Sequence, residues 1–340
     1  VLISRKRLLI FVYHYWQSNS PFVLHLSGNE YKLINPLFIV SSTDKLIDKL
    51  HSGDYRTLAQ SITMVENELP GSEELLLSLQ TNNHAPVIGI TGPPGAGKST
   101  LVNALLKKLV KEDKKIAVLS VDPSSPFNYG ALLGDRIRMS EFYLNSNVYI
   151  RSLASRGSLG GLNGKIIEIL DVLRSCPFDI IVVETVGVGQ SEVEIAGLAD
   201  TTIVVMVPEG GDEVQTMKAG VMEIADIFVV NKGDRDNADE FVKNLNYLAH
   251  TKAGGWEIPV IKCVATEGVG IDELITQISR HAFSMTKSVE KQMQLITEKA
   301  YQLIQQKRMR DISKINLNHR LEEEKSKPSF NLYRFIKEFY

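Results

Sequence analysis

The run Gly92-Pro93-Pro94-Gly95-Ala96-Gly97-Lys98-Ser99 has the composition needed to hold a polyphosphate. Glycines let backbone N–H groups close on phosphate oxygens, a helix opening at the end of the run adds a positive terminus, and a lysine reaches the terminal phosphates. Lys98 is that lysine, and Ser99 offers a hydroxyl to magnesium. Thr100 then leads into an amphipathic stretch with Leu101, Val102 and Leu105. An apolar run, Val87–Thr91, stands ahead of the glycines. A strand before and a helix after are the setting this motif requires, so the pattern implies a nucleoside triphosphate ligand.

A second pattern, Asn231-Lys232-Gly233-Asp234, follows the apolar residues 227–230. A carboxylate at Asp234 can accept hydrogen bonds from the N1–H and exocyclic amine of guanine. Adenine offers neither donor there and leaves a shielded charge unmet, which makes discrimination steep. Asn231 would hold the loop and reach the base, while the Lys232 stem covers one base face. At the end of the last apolar run, Cys263-Val264-Ala265-Thr266 puts the Ala265 N–H where the guanine carbonyl could accept it, although core packing explains Cys263 equally well. These residues imply GTP rather than ATP.

Hydrolysis needs a metal site and an oriented water. Glu184 ends the apolar residues 180–183, and Gly187 stands three positions on, an ExxG pattern in which the acid holds magnesium through water and the glycine N–H senses the γ-phosphate. Asp122, closing the apolar run 116–121, is either a second member of the magnesium shell or an Asp that starts a turn before Pro123. The long segment 123–139 is read as a first switch, with Asp135 near magnesium and Arg136 or Arg138 facing phosphate or partner; solvated surface charge is the competing reading for each arginine. Val188 stands where Ras-like proteins carry a water-orienting glutamine, so slow turnover is expected, completed by Gln190, Glu192 or a partner's residue.

The rest of the chain must position these groups. Apolar runs at 87–91, 116–121, 148–150, 180–183, 203–207, 227–230 and 260–264 alternate with helical patterns, which predicts an α/β fold built on a mostly parallel, doubly wound sheet, a P-loop NTPase. Residues 41–84 read as an N-terminal helical region, 85–284 as the nucleotide domain, and 285–340 as a C-terminal helical extension, a candidate dimerisation arm whose stripe Val289, Met293, Ile296, Ala300 and Leu303 could equally pack on its own domain. Residues 1–40 are assigned no function; their basic and apolar start lacks a small-residue cleavage site and is too short to span a bilayer.

Composition excludes several classes of function. In 340 residues the formal charge is −2, which implies no general attraction to nucleic acid. Two cysteines, Cys176 and Cys263, in unrelated apolar contexts suit a reducing, cytoplasmic compartment without a disulfide. Seven dispersed histidines without CxxC or HxxxH spacing argue against a zinc or nickel site on the chain.

Longer stretches carry a resemblance. Residues 89–100, Val121 to Pro126, Gly134 to Met139, Arg156 to Leu162 and Glu184 to Glu192 resemble the MeaB/ArgK family, G-protein metallochaperones of cobalamin-dependent acyl-CoA mutases, notably methylmalonyl-CoA mutase; the likeness runs from about residue 46 to 281. That resemblance implies a phosphate and magnesium site of Lys98, Ser99, Asp122, Asp135 and Glu184, a base site of Asn231 and Asp234, and a third switch, with Gln215 and Lys218, facing the mutase. It also implies a homodimer, and a cobalamin adenosyltransferase as a further partner. GTP hydrolysis would time the loading of adenosylcobalamin onto the mutase and protect it. The cofactor itself is expected on the partner, since this chain has no DxHxxG motif. Gly233 departs from the family's usual alanine, with little expected effect. Two rival readings of the same residues are a kinase serving an amino-acid transport system and a nickel-insertion G protein.

Overall fold

Short strands that are apolar on both faces need helices on both sides, and the chain folds that way in a computed structural model. The structure describes residues 23–27, 30–34, 36–80, 85–122, 139–154, 162–185, 194–208, 221–249, 256–286, 289–309, 312, 314–325, 327 and 330–339. Two compact units divide the chain, Val1–Met285 and Thr286–Tyr340.

The first unit opens with Val23–Ser27 (β1) and Glu30–Ile34 (β2), an antiparallel pair. Three helices follow, Pro36–His51 (α1), Tyr55–Glu66 (α2) and Ser72–Ser78 (α3), the first starting ahead of the helical region read from residue 41. Asp54 starts α2 by accepting the Thr57 N–H at 2.7 Å, and that bond holds its carboxyl below the usual value. Leu58, Ile62 and Val65, at helical spacing, are buried.

The alternation then begins: Val87–Thr91 (β3), Lys98–Lys111 (α4), Ile116–Asp122 (β4), Val148–Ala154 (β5), Ile166–Arg174 (α5) and Ile180–Glu184 (β6). It continues through Thr201–Met206 (β7), Val221–Ile224 (α6), Ile227–Val230 (β8), Ala238–Ala249 (α7), Val260–Lys262 (β9) and Ile271–Thr286 (α8). The second unit holds Val289–Arg308 (α9), Lys314–Lys325 (α10) and Leu332–Ile336 (α11). Within it, the Arg320 guanidinium lies 4.7 Å from the Phe339 ring centroid.

Strands β3 to β9 form one sheet in the order β5-β4-β6-β3-β7-β8-β9, parallel throughout. From β3 the chain passes over β6 to β4 and β5, returns to β6, and only then crosses to β7 on the other side. The reversal falls at β3, so the crevice at the carboxyl ends of β3 and its neighbours is where an open α/β sheet takes its ligand. One face of the sheet packs against α4: Ile88, Ile90, Ile116, Val118, Val182, Ile203 and Val205 meet Leu101 and Leu105 in one buried cluster. On the opposite face Gly89 is required by space, because a Cβ there would lie 2.5 Å from Ile195 Cγ1.

The helical preface is tied to the sheet edge. Tyr55 packs on Tyr149 and Phe178, with ring centroids 5.5 and 5.9 Å away, and Arg151 on β5 pairs with Glu66 at 3.0 Å. At the sheet's amino edge Asp200 accepts the Val87 N–H at 2.7 Å and Asp226 accepts the Thr202 N–H at 2.8 Å. Buried His281 on α8 sits 2.8 Å from Thr201 Oγ1 and edge-on to Trp256. No helix among the described residues is long and apolar enough to cross a membrane.

Cys176 and Cys263 are both free and buried, and burial pushes each thiol up to about 12. In the folded protein at about pH 8 both should resist a disulfide-exchange reagent, and both should react within the mixing time once guanidinium unfolds the chain. Thiol titration with and without denaturant reads the difference; rapid reaction in buffer would contradict the packing.

Candidate nucleotide-binding site

The loop that joins β3 to α4 has positive φ at Gly92, Gly95 and Gly97. Two of these glycines are also demanded by crowding: a Cβ at Gly92 would lie 2.1 Å from the Val205 carbonyl oxygen, and one at Gly97 would lie 2.3 Å from Asn231 Nδ2. Pro93 and Ala96 are buried, whereas Pro94, Gly95 and Thr100 face solvent. The buried Lys98 donates from Nζ to the carbonyls of Gly92 at 2.8 Å and Pro93 at 3.1 Å, which folds its ammonium across the loop it follows. Anionic oxygens entering this cradle would meet that ammonium and the amino end of α4 together.

Beside the loop, strand β6 delivers Glu184. The Ser99 hydroxyl donates to its Oε1 at 2.6 Å, with Ser99 5% and Glu184 4% exposed. One position on, the Thr185 N–H donates to Ile90 O at 3.0 Å and its hydroxyl donates to Thr91 Oγ1 at 2.9 Å. β6 is thus stitched to β3 just beyond the sheet ladder. A buried hydroxyl and a carboxylate in contact are hard oxygen donors of the kind that magnesium takes. Asp122 closes β4 opposite Ala154.

The base side rests on Asn231, 3% exposed, at the end of β8. Its N–H donates to Met206 O at 2.8 Å, its Nδ2 donates to Ala96 O at 2.8 Å, and its Oδ1 accepts the Ala265 N–H at 3.2 Å. Lys232 then takes φ 57°, Gly233 donates its N–H to Cys263 O at 2.8 Å, and Asp234 emerges exposed. A Cβ at Gly233 would stand 2.7 Å from Lys262 Cγ and 3.1 Å from Cys263 O, so the alanine common in this motif would displace the lysine stem.

The structure therefore brings Gly92, Pro93, Pro94, Gly95, Ala96, Gly97, Lys98, Ser99, Glu184, Asn231 and Ala265 to one rim of the sheet, with Lys232 and Asp234 on the adjoining loop. Asp135, Gly187, Gln190, Val188, Glu192, Gln215 and Lys218 lie outside the described residues. Sequence reading missed two features: Asn231 grips the phosphate loop itself, and the Ala265 N–H reserved for the base is engaged by Asn231. Only the sheet order, which sets β8 two places from β3, signals the first of these.

Residues 58–319 match the family described as methylmalonyl Co-A mutase-associated GTPase MeaB. The chain belongs to the MeaB family. It is similar to a Pyrococcus abyssi protein named as a GTPase, 47% identical over 251 residues that cover 72% of this chain and 78% of that one. The GTPase ArgK of Escherichia coli is 37% identical over 253 residues, 71% of this chain and 76% of ArgK. Among solved structures, that of an LAO/AO transport system kinase superposes with a TM-score of 0.63 at 29% identity, covering 86% of this chain and 89% of that one. Like its family, this chain is a GTPase with an α/β P-loop fold.

In this MeaB-family GTPase, Asn231→Ala would strand a buried carbonyl at Ala96 and a buried N–H at Ala265. Each unmet group costs about 1–3 kcal/mol, so GDP affinity should fall by at least about tenfold while the fold persists. Calorimetry on the variant, with circular dichroism as the folding control, checks this; unchanged affinity would contradict the role given to Asn231.

Proposed function

We propose that this GTPase is a magnesium-dependent metallochaperone that gates cobalamin loading onto an acyl-CoA mutase, methylmalonyl-CoA mutase first among them, and protects that enzyme. The observation that carries the proposal is the match of residues 58–319 to a family described as mutase-associated, over a cradle fit for a guanine nucleotide.

Each residue has a distinct task in this reading. Lys98 and the loop N–H groups hold the β- and γ-phosphates, and the Asp234 carboxylate accepts from the guanine edge. Ser99, Glu184, Asp122 and Asp135 would hold magnesium, directly or through water, and the metal would supply positive charge against the phosphates. Gly187 answers to the γ-phosphate, and Gln190 or a residue of the mutase orients water. Because Val188 offers no hydrogen bond, turnover of the lone protein is slow and the partner sets its rate. Gln215 and Lys218 face the mutase, and a cobalamin adenosyltransferase supplies the cofactor, which belongs to the partners. Two buried free thiols are in keeping with a cytoplasmic location.

A second copy of the chain would cover the exposed Met293, Ile296 and Ile304 of α9, which share one helical stripe. Replacing Ile296 and Ile304 by glutamate should lower the mass seen by light scattering to that of a monomer. A monomeric unmodified protein would overturn this part.

The kinase reading draws on the likeness to the LAO/AO transport system kinase. Incubating the protein with radiolabelled GTP, a candidate mutase and a candidate binding protein decides between them. Label released as free phosphate, faster when the mutase is present and co-purifying, supports the chaperone; label on protein supports the kinase. Base choice has its own test: Asp234→Asn should lower GTP affinity by about a hundredfold or more and favour xanthosine triphosphate, whose C2 oxygen accepts from the new amide. Equal affinity for GTP in the variant would refute the base assignment.

A further inference from the structure

A cavity of about 750 Å³ opens beside α2, and none of its described lining residues belongs to the nucleotide rim. Leu58, Ile62 and Val65 turn one face of this helix into the core, whereas Arg56, Ala59 and Thr63, at three- and four-residue spacing, share the opposite face and wall the cavity. Arg151 of β5 supplies a further wall, its Nη2 donating to Thr63 Oγ1 at 3.2 Å and to Glu66 Oε2 at 3.0 Å. The Thr63 hydroxyl hydrogen is in turn given to Ala59 O at 2.8 Å. Glu66 thus balances the charge of Arg151. One cation is left over, the exposed Arg56, which forms no ion pair among the described residues. It stands in the first turn of α2, where the positive amino end of a helix opposes a cation and favours an anion beside it. The remaining walls are aliphatic, from Ala59, Met64, Leu69 and Pro70, and no aromatic ring stands among the described lining residues.

We propose that this cavity binds a small monocarboxylate carried on an aliphatic chain, its carboxylate paired with Arg56 and its chain laid along Ala59, Met64, Leu69 and Pro70. One unbalanced guanidinium suits one negative charge. A phosphate dianion would call for further donors, and those of Thr63 and Arg151 Nη2 are already engaged. The volume falls within the range of single small-molecule sites, about 300–1,000 Å³, whose usual lining is apolar with a few placed polar groups. Methylene and thioether walls give a flexible chain contact along its length and give a planar ring no stacking partner.

This inference goes beyond the mutase reading and stands apart from it, since neither the nucleotide nor the mutase enters the test. Octanoate is the probe, with octanol as its uncharged counterpart and inorganic phosphate as a bare anion. In protein with methyl-labelled methionine, octanoate should shift the Met64 methyl resonance saturably, at a concentration about tenfold or more below that needed for octanol, the worth of a hydrogen bond between charged groups. Phosphate should leave the resonance unmoved. Arg56→Gln should bring octanoate to the level of octanol without altering octanol, and Arg56→Lys should keep most of the difference. Both variants change an exposed side chain, and circular dichroism controls their fold. No saturable shift at Met64, an equal response to octanoate and octanol, a shift with phosphate as large as that with octanoate, or an octanoate response unchanged in Arg56→Gln would overturn the proposal.

Discussion

The carboxamide of Asn231 is the contact on which the nucleotide end of this molecule depends. Its backbone N–H reaches the end of β7, its Nδ2 the loop after β3, and its Oδ1 the backbone beyond β9. Four of the seven strand ends thus meet at one buried residue, two of them through its side chain. In an environment this dry, a hydrogen bond is worth keeping mainly because losing it leaves an unmet group behind. That asymmetry fixes the separation between base loop and phosphate loop. Gly97 belongs to the same constraint, since any side chain there would occupy the space of the Asn231 amide.

The other half of the rim is built differently. The Ser99 hydroxyl donates to Glu184 at 2.6 Å, and Thr91 and Thr185 form a neutral pair behind them. Away from the rim, Asp200 and Asp226 hold the amino ends of β3 and β7, and His281 of α8 meets β7 at Thr201.

Strands were legible in the sequence where both faces are buried, because an uninterrupted apolar run such as 227–230 has no other soluble home. The same rule clipped β5: Arg151 and Ser152 interrupt the pattern, yet they lie in the ladder with β4, the arginine being drawn to Glu66 of the preface. The β1–β2 pair went unread although Leu24-His25-Leu26-Ser27 and Glu30-Tyr31-Lys32-Leu33 alternate apolar with polar on either side of Gly28-Asn29, the pattern of a short hairpin. Glycine spacing announced the phosphate loop, since a positive φ and a close backbone approach can be met by little else. Contacts between distant strands were not legible, because Asn231 meets Ala96 only through a strand order that no local pattern encodes.

The central claim is that Asn231 joins the base and phosphate sites, and amide hydrogen exchange in the nucleotide-free protein reads this directly at Ala265. The account predicts an Ala265 amide strongly protected before GDP is added and released to rapid exchange when Asn231 is replaced by alanine. Exchange at the rate of an open loop in the unmodified, nucleotide-free protein would contradict it.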